Sequence, residues 1–317
     1  MKISMIAVQF LLLVSNLLPA VEMTDFVPRH SRQVLQINLT EIIGMEAVRD
    51  DMIRTFFRQT GFEKKNNPTE NISSSIDKIL LVTPVLTESE TFVFIQTKVK
   101  KDEFCRRLNE AAEIRQIPVK NENRTEYRIL LPETDLIPGI AAKKRIFVFT
   151  FLTDNIAVVA KDSLAGYWKY KAFGLPVQKR KYLTVPNSLA AGYMETDPAF
   201  LQENPFLPPF QEAVYSLAAA APAGSLDLKA WARCADETAA NQTRMQLQQY
   251  VMVGGLLLNQ TAPELMQEWI NAVRVSGTGE KVFLNAFFSR DFLTRLTAAS
   301  EKLTEASQST KPSKEKR

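Results

Sequence analysis

The feature that most constrains the fold is a succession of strand, turn, strand and helix patterns at residues 79–111. Two runs rich in β-branched and aromatic residues, 79–86 and 92–99, are separated by a polar segment of hairpin length. A helical pattern follows directly, and its first turn contains Asp102 and Glu103, where carboxylates meet the positive end of the helix dipole. This stretch therefore predicts a β-hairpin followed by a helix that packs on it.

The same order of patterns recurs in the second half of the chain, at residues 214–258. A hairpin pattern turns there at residues 222–225 and leads into a long helical pattern that opens with Asp236 and Glu237. Because the order of elements matches while residue identity is very low, the recurrence predicts an ancient duplication of one unit. The expected fold class is α+β, with two tandem related halves, each an antiparallel sheet with helices packed on one face.

The patterns divide the 317 residues into five segments. Residues 21–175 form the first α+β half and residues 188–304 the second. Residues 176–187 contain prolines and the run Lys179-Arg180-Lys181, so they are interpreted as a basic linker. The alternative is an internal crossover loop of a single domain. Residues 305–317 predict a disordered, Lys-rich tail.

The N-terminal segment predicts the compartment. Residues 1–20 contain a lysine, an apolar run and a final Pro-Ala, which is the pattern of a secretory signal peptide. The apolar run is short for a membrane span and is interrupted by Gln9, Ser15 and Asn16. We therefore expect a periplasmic or secreted protein with no transmembrane segment after signal removal. The alternative is an uncleaved segment that anchors the protein.

The overall charge argues against nucleic acid as a partner. The chain has 39 basic and 35 acidic side chains, a near-balanced mixture with a net charge of +4. A nucleic-acid-binding domain normally has a marked basic excess. With 45% hydrophobic residues, the composition is that of a globular protein able to bury a core.

Several classes of catalytic site are excluded by residue counts. The chain has one histidine, His30, and two cysteines. A Ser-His-Asp or Cys-His arrangement needs a histidine base beside its nucleophile, and a His/Cys zinc site needs three or four ligands. The 11 glycines form no phosphate-binding pattern. We therefore predict no catalytic residue, no metal-binding residue and no cofactor.

Four pairs of neighbouring carboxylates could in principle perform acid–base chemistry. The pairs are Asp50 with Asp51, Glu88 with Glu90, Glu133 with Asp135, and Asp236 with Glu237. Helix faces, turns and helix starts explain such placements without chemistry. The alternative function that they leave open is a His-independent, carboxylate-dependent hydrolase acting on envelope glycans.

Three aromatic residues suggest a partner surface. Phe92, Phe94 and Trp231 fall on what could be the outward faces of hairpin strands. The alternative is that the two halves pack together and bury these rings. The cysteines, Cys105 in a predicted helix and Cys234 at the end of a predicted strand, permit one disulfide in an exported protein, but their unequal positions favour two separate buried thiols.

The layout from residue 34 to about residue 303, preceded by a signal pattern, resembles exported bacterial proteins of unestablished function built from duplicated α+β units. The resemblance rests on element order and carries over no functional residue. It implies an exported, non-catalytic binding or structural protein of the periplasm or cell envelope, with a protein or an envelope component as its partner.

Overall fold

The computed structural model describes residues 21–44, 72–86, 90–111, 113–118, 125–131 and 145–309. Within these residues the chain forms a mixed α/β structure with twelve strands and eight α-helices. Several predictions lie outside the described residues: the signal peptide at 1–20, residues 310–317 of the tail, and the carboxylates Asp50, Asp51, Glu88, Glu133 and Asp135.

The first part of the described chain contains seven strands and four helices. In chain order they are β1 (Gln33–Asn38), α1 (Leu39–Gly44), β2 (Ile76–Thr83), β3 (Phe92–Thr97), α2 (Lys101–Ala111), β4 (Glu113–Pro118), β5 (Thr125–Leu131), β6 (Arg145–Phe151), β7 (Ile156–Lys161), α3 (Ala165–Trp168) and α4 (Val177–Leu183).

The second part contains five strands and four helices. They are β8 (Ser188–Glu195), α5 (Pro198–Glu203), β9 (Phe210–Ala220), β10 (Ser225–Cys234), α6 (Glu237–Thr261), α7 (Pro263–Ala272), β11 (Val273–Thr278), β12 (Lys281–Phe288) and α8 (Arg290–Ser309). The helix α8 includes residues 305–309, so the predicted disordered tail is helical over this part.

All twelve strands belong to one antiparallel sheet in the order β11-β12-β10-β9-β8-β1-β2-β3-β7-β6-β5-β4. Two separate sheets were expected, one in each half. Instead β1 pairs with β8, with Val34 opposite Tyr193 and Ile37 opposite Ala190. Each of these strands would otherwise present an open row of backbone donors and acceptors, and their pairing removes both edges.

Strand order is alike on the two sides of the central pair. Outward from the centre the first part runs β1-β2-β3-β7-β6 and the second runs β8-β9-β10-β12-β11, while β5 and β4 extend only the first side. The likeness is one of topology. Duplication of a single unit therefore stays a prediction.

The segment predicted to be a basic linker is part of the packed structure. Most of residues 176–187 form α4, whose Leu183 is buried in the main hydrophobic cluster. Two of its basic side chains have acidic partners: Lys179 Nζ lies 2.8 Å from Glu195 Oε2, and Arg180 Nη2 lies 2.7 Å from Asp25 Oδ1. These ion pairs hold α4 against β8 and the N-terminal segment.

One face of the central strands is covered by the N-terminal segment with α3 and α4. Val34, Leu80, Phe94 and Val158 lie on this face by strand register, and all are fully buried. Tyr167 of α3 lies edge-on to the Phe94 ring, with 5.8 Å between ring centroids. This cluster is the larger of the two that flank the central strands.

The opposite face is also covered, which differs from the expected one-sided arrangement. Over the central strands α1 and α2 contribute Leu39, Ile42, Phe104 and Leu108 to a second hydrophobic cluster. Over β9 to β12 the helix α6 covers this same face. The central strands are thus buried on both faces, because helices from different parts of the chain meet there.

Candidate functional site

The three aromatic residues predicted as a partner surface share one face of the sheet but differ in exposure. Phe92 and Phe94 are 2% and 0% exposed, because β3 lies inside the sheet and Tyr167 covers their rings. They cannot contribute to an exposed partner surface. Their burial comes from α3 and the N-terminal segment rather than from two halves packing face to face.

Trp231, the third of these residues, is half-buried near the middle of β10. Its ring lies edge-on to Tyr182 of α4, with 5.9 Å between centroids. Lys281 Nζ lies 5.6 Å from the Trp231 centroid, a distance at which a cation is attracted to an indole face. Both contacts anchor the ring within the fold.

The two cysteines are free thiols in different hydrophobic clusters. Cys105 lies half-buried on α2, and Cys234 is buried at the end of β10, where its Sγ lies 3.4 Å from Thr243 Oγ1. Burial raises the pKa of both thiols. A raised pKa disfavours the thiolate, which is the reactive form, so this environment suits a packing role.

The acidic residues at two helix starts have structural roles. Asp236 caps α6, since its Oδ1 accepts a hydrogen bond from the Ala239 backbone N–H at 2.7 Å. In α2, Glu103 accepts hydrogen bonds from Arg106 and Arg107, and these bonds lower the pKa of its carboxyl to about 2. Capping and ion pairing therefore account for these carboxylates.

A small polar pocket lies where β1, β2 and β8 meet α1. Its volume is about 310 Å³, and its lining includes the carboxylates of Glu41 and Asp77. Thr40 Oγ1 donates to Asp77 Oδ1 at 2.7 Å. Glu41 is exposed to solvent. The two carboxylates are therefore not the buried pair that a closed acid–base site needs.

The most unusual surface in the described structure lies on α6. Seven large apolar side chains are 44 to 85% exposed and define what we call the apolar α6 surface: Phe206, Met245, Tyr250, Met252, Val253, Leu256 and Leu257. Residues 245–262 contain no charged side chain. An exposed helix normally has a polar outer face, so this composition marks a candidate contact surface.

The inner side of α6 explains why this surface points outward. Ala240 and Leu247 pack with Ala232 and Val282 of the sheet. Further along, a Cβ on Gly254 would lie 3.1 Å from the Trp269 ring of α7. The absence of a side chain at this position lets the two helices approach closely.

A hydrogen bond reinforces this contact. Trp269 Nε1 donates to the Val251 carbonyl at 2.9 Å. Contacts to the sheet and to α7 therefore fix the rotation of α6 about its axis, and the remaining apolar residues are left in solvent.

Phe206 extends the apolar surface beyond the helix. It belongs to the loop between α5 and β9, and its side chain is 85% exposed. Tyr250 Oη donates to the Phe206 backbone carbonyl, which holds this loop beside α6. Sequence reasoning predicted α6 but not this surface. The signal that could have revealed it is the distribution of apolar residues around the whole helix circumference rather than along one stripe.

Comparisons with known proteins leave the family of this chain open. No protein-family model matches it, and no curated protein matches it. A solved structure titled "Structure of crystal form IV of TP0453" is similar with a TM-score of 0.48 and 8% sequence identity, covering 87% of this chain and 97% of that chain. Likeness at this level supports no statement about function.

No helix in the described residues combines the length and the apolar character that a membrane-crossing helix needs.

Proposed function

We propose that this chain is an exported, non-catalytic binding protein of the periplasm or cell envelope, and that it engages its partner through the apolar α6 surface. The observation that carries the proposal is the exposure of seven large apolar side chains on one uncharged surface. Export rests on the signal-peptide pattern of residues 1–20.

The size of the surface supports a binding role. Two of the seven residues, Phe206 and Tyr250, are aromatic, and the other five are Met, Val or Leu residues that are 49 to 60% exposed. The largest apolar patch of an ordinary monomer is roughly 300–600 Å². Seven such residues exposed together form a patch at the large end of this range, and patches of that kind are often functional binding sites.

We also infer that the two parts of the chain descend from one unit and that the binding surface is a property of the second part. The helices α2 and α6 each follow the second strand of a hairpin. On α2 the partly exposed residues include Glu103, Arg106 and Arg107, which form ion pairs. On α6 the exposed residues from 245 to 260 are apolar side chains or uncharged amides, so this helix, in contrast to α2, offers a surface that favours burial.

The first experiment tests binding. Tagged wild-type protein and the tagged variants Leu256→Glu and Gln248→Glu are used to capture partners from an envelope extract. Untagged copies of this chain in the extract count among the possible partners. Gln248 is an exposed neighbour on the same helix and provides the matched control. We expect one reproducible set of partners with wild type and Gln248→Glu and its loss with Leu256→Glu. Identical sets with all three proteins would contradict the proposal.

The second experiment tests export. The N-terminal residue of the protein purified from its native envelope is determined by sequencing. Cleavage of the predicted signal places the new N-terminus near Val21. Recovery of the intact chain in the cytoplasm would contradict export.

The alternative function, a carboxylate-dependent glycan hydrolase, is favoured by one observation, the presence of Glu41 and Asp77 in the same pocket. Envelope glycans are incubated with wild type, Glu41→Gln and Asp77→Asn. The binding proposal expects no cleavage by any of the three proteins. Cleavage by wild type that either substitution abolishes would favour the hydrolase.

A further inference from the structure

The exposed residues of α6 follow the spacing of a coiled-coil seam. Residues 242, 245, 249, 252, 256 and 259 are separated alternately by three and four positions, and all six are exposed. They are Gln242, Met245, Gln249, Met252, Leu256 and Asn259. A three-four alternation places side chains along one line that faces a partner helix. The shape of this surface therefore suits another helix.

The seam is complementary to itself when it is reversed. In an antiparallel pair of α6 helices, a two-fold axis between Gln249 and Met252 places Met245 of one copy opposite Leu256 of the other. The same axis places Gln249 opposite Met252 and, at the ends, Gln242 opposite Asn259. Met245 and Leu256 thus form an apolar pair on each side of the axis, Gln249 and Met252 form the two mixed pairs nearest to it, and amides meet at both ends. Such reciprocal contact is the property of a two-fold symmetric interface.

Charge and area favour a second copy over a lipid surface. Helices that lie on membranes are rich in lysine and arginine, but the one basic residue of α6 is the half-buried Arg244. Protein interfaces are instead depleted of charge at their centre, as this seam is. Three residues of the apolar α6 surface, Met245, Met252 and Leu256, lie on the seam, and the surface as a whole is at the large end of the range for an ordinary monomer.

We propose that a second copy of this chain docks on the apolar α6 surface, with the two α6 helices packed antiparallel about a two-fold axis between Gln249 and Met252. This inference rests on the proposed binding function and specifies its partner. Tyr250 lies on the flank of α6, where its hydroxyl group holds the Phe206 loop.

Sedimentation equilibrium of the full-length mature protein tests the oligomeric state. Wild type and Gln248→Glu are expected to be dimers. Leu256→Glu places one carboxylate per copy in an apolar contact, so its dissociation constant should rise at least about tenfold. Circular dichroism shows whether the variant remains folded. A wild-type chain that is monomeric at every concentration would overturn the inference.

Cross-linking tests the direction of the helices. A chain with both Met245→Cys and Leu256→Cys should form a disulfide-linked dimer under mild oxidation, while each single variant should not. The two positions are about 16 Å apart along one helix, so they cannot bond within a chain. Cross-linking of the single variants with themselves would show a parallel arrangement and overturn the proposed geometry.

Flotation with vesicles of mixed neutral and acidic phospholipids separates this inference from the proposed function. If wild type is monomeric and floats with vesicles while Leu256→Glu does not, the proposal of a second copy as partner is overturned. The proposed binding function is then still supported. A monomer that binds no vesicles and loses thermal stability in the Leu256→Glu variant would show that another part of the same chain covers the surface, which overturns both. Dimerisation abolished by Leu256→Glu alone supports both.

Discussion

At the scale of single residues, two buried tyrosines tie the N-terminal segment to the sheet. Tyr167 Oη donates to the Phe26 carbonyl at 3.0 Å, and Tyr193 Oη donates to the Ser31 carbonyl at 3.2 Å. Burial raises the pKa of both phenols well above the usual value, so both remain protonated donors. Each tyrosine therefore combines an apolar ring in the core with one hydrogen bond that positions the covering segment.

The Tyr167 hydrogen bond can be tested by removing only its hydroxyl group. Tyr167→Phe keeps the ring contacts with Phe92 and Phe94 and should lower the free energy of unfolding by about 1 kcal/mol. Tyr167→Ala also removes the ring and should cost about 3–5 kcal/mol. Urea denaturation measures both values. A Tyr167→Phe variant as stable as wild type would show that this bond contributes nothing.

Glu103 predicts a pH dependence of stability. Hydrogen bonds from Arg106 and Arg107 lower the pKa of its carboxyl in the folded state from 4.5 to about 2. Because the pKa is lower in the folded state, the ionised carboxylate stabilises the protein at pH values above its unfolded-state pKa. This stabilisation is lost as the pH falls toward about 2. The melting temperatures of wild type and Glu103→Gln should therefore differ most near neutral pH and converge near pH 2.

The control for this prediction removes the two cations. When Arg106→Gln and Arg107→Gln are already present, Glu103→Gln should change the melting temperature by a similar small amount at every pH. Because the group is partly exposed, added salt should also reduce the difference seen in the native background. A constant difference between pH 7 and pH 2 in the native background would contradict the assignment.

At the scale of elements, the contact between α6 and α7 decides which side of α6 faces solvent. Gly254 lies against Trp269, and Gly255 lies against Ile270. Glycine is unfavourable inside a helix, but here the missing side chain permits a close approach. The same contact leaves Met252, Val253 and Leu256 exposed.

A larger residue at this contact should destabilise the fold. Gly254→Leu should lower the free energy of unfolding by about 1–3 kcal/mol, because the added side chain must displace the Trp269 ring. This loss should outweigh the gain of about 1 kcal/mol in helix propensity. Gln248→Leu, an exposed site on the same helix, is the matched control and should stay within about 0.5 kcal/mol of wild type. Equal stability of the two variants would contradict the close contact.

At the scale of the whole molecule, the pairing of β1 with β8 joins the two parts into one sheet. Gly192 of β8 lies at this junction, and a Cβ there would be 2.5 Å from the Val34 carbonyl oxygen and 2.7 Å from the Tyr215 hydroxyl oxygen. The side chains of Val34 and Tyr193 lie in one hydrophobic cluster across the junction. The parts therefore share their core instead of forming separate domains.

A shared core predicts that both parts unfold together. The chain has three tryptophans, of which Trp168 reports on the first part and Trp269 on the second. One variant retains only Trp168 and another only Trp269, with phenylalanine at the other two positions. The urea midpoints from fluorescence should coincide with each other and with those from circular dichroism of the same variant. Clearly separated midpoints would show that the two parts unfold independently.

The sequence by itself determined most of the local elements of this protein. The hairpin around residues 222–225 and the starts of α2 and α6 agree with the patterns that predicted them. Asp236 caps α6, at the helix start where the sequence placed it. Hairpins and helix caps depend on residues only a few positions apart, so the local pattern contains the information that specifies them.

Tertiary structure decided what lies next to these elements. The positions of Phe92 and Phe94 along β3 indicated that they share one face of the sheet. They could not show that Tyr167 would cover that face and bury both rings. Composition marked residues 176–187 as a linker, but Arg180 pairs with Asp25, far away in the sequence, and Lys179 pairs with Glu195 of β8. The joining of β1 to β8 and the exposure of the apolar α6 surface likewise depend on contacts between distant residues. No local pattern records such contacts, because each pattern is equally compatible with several neighbours.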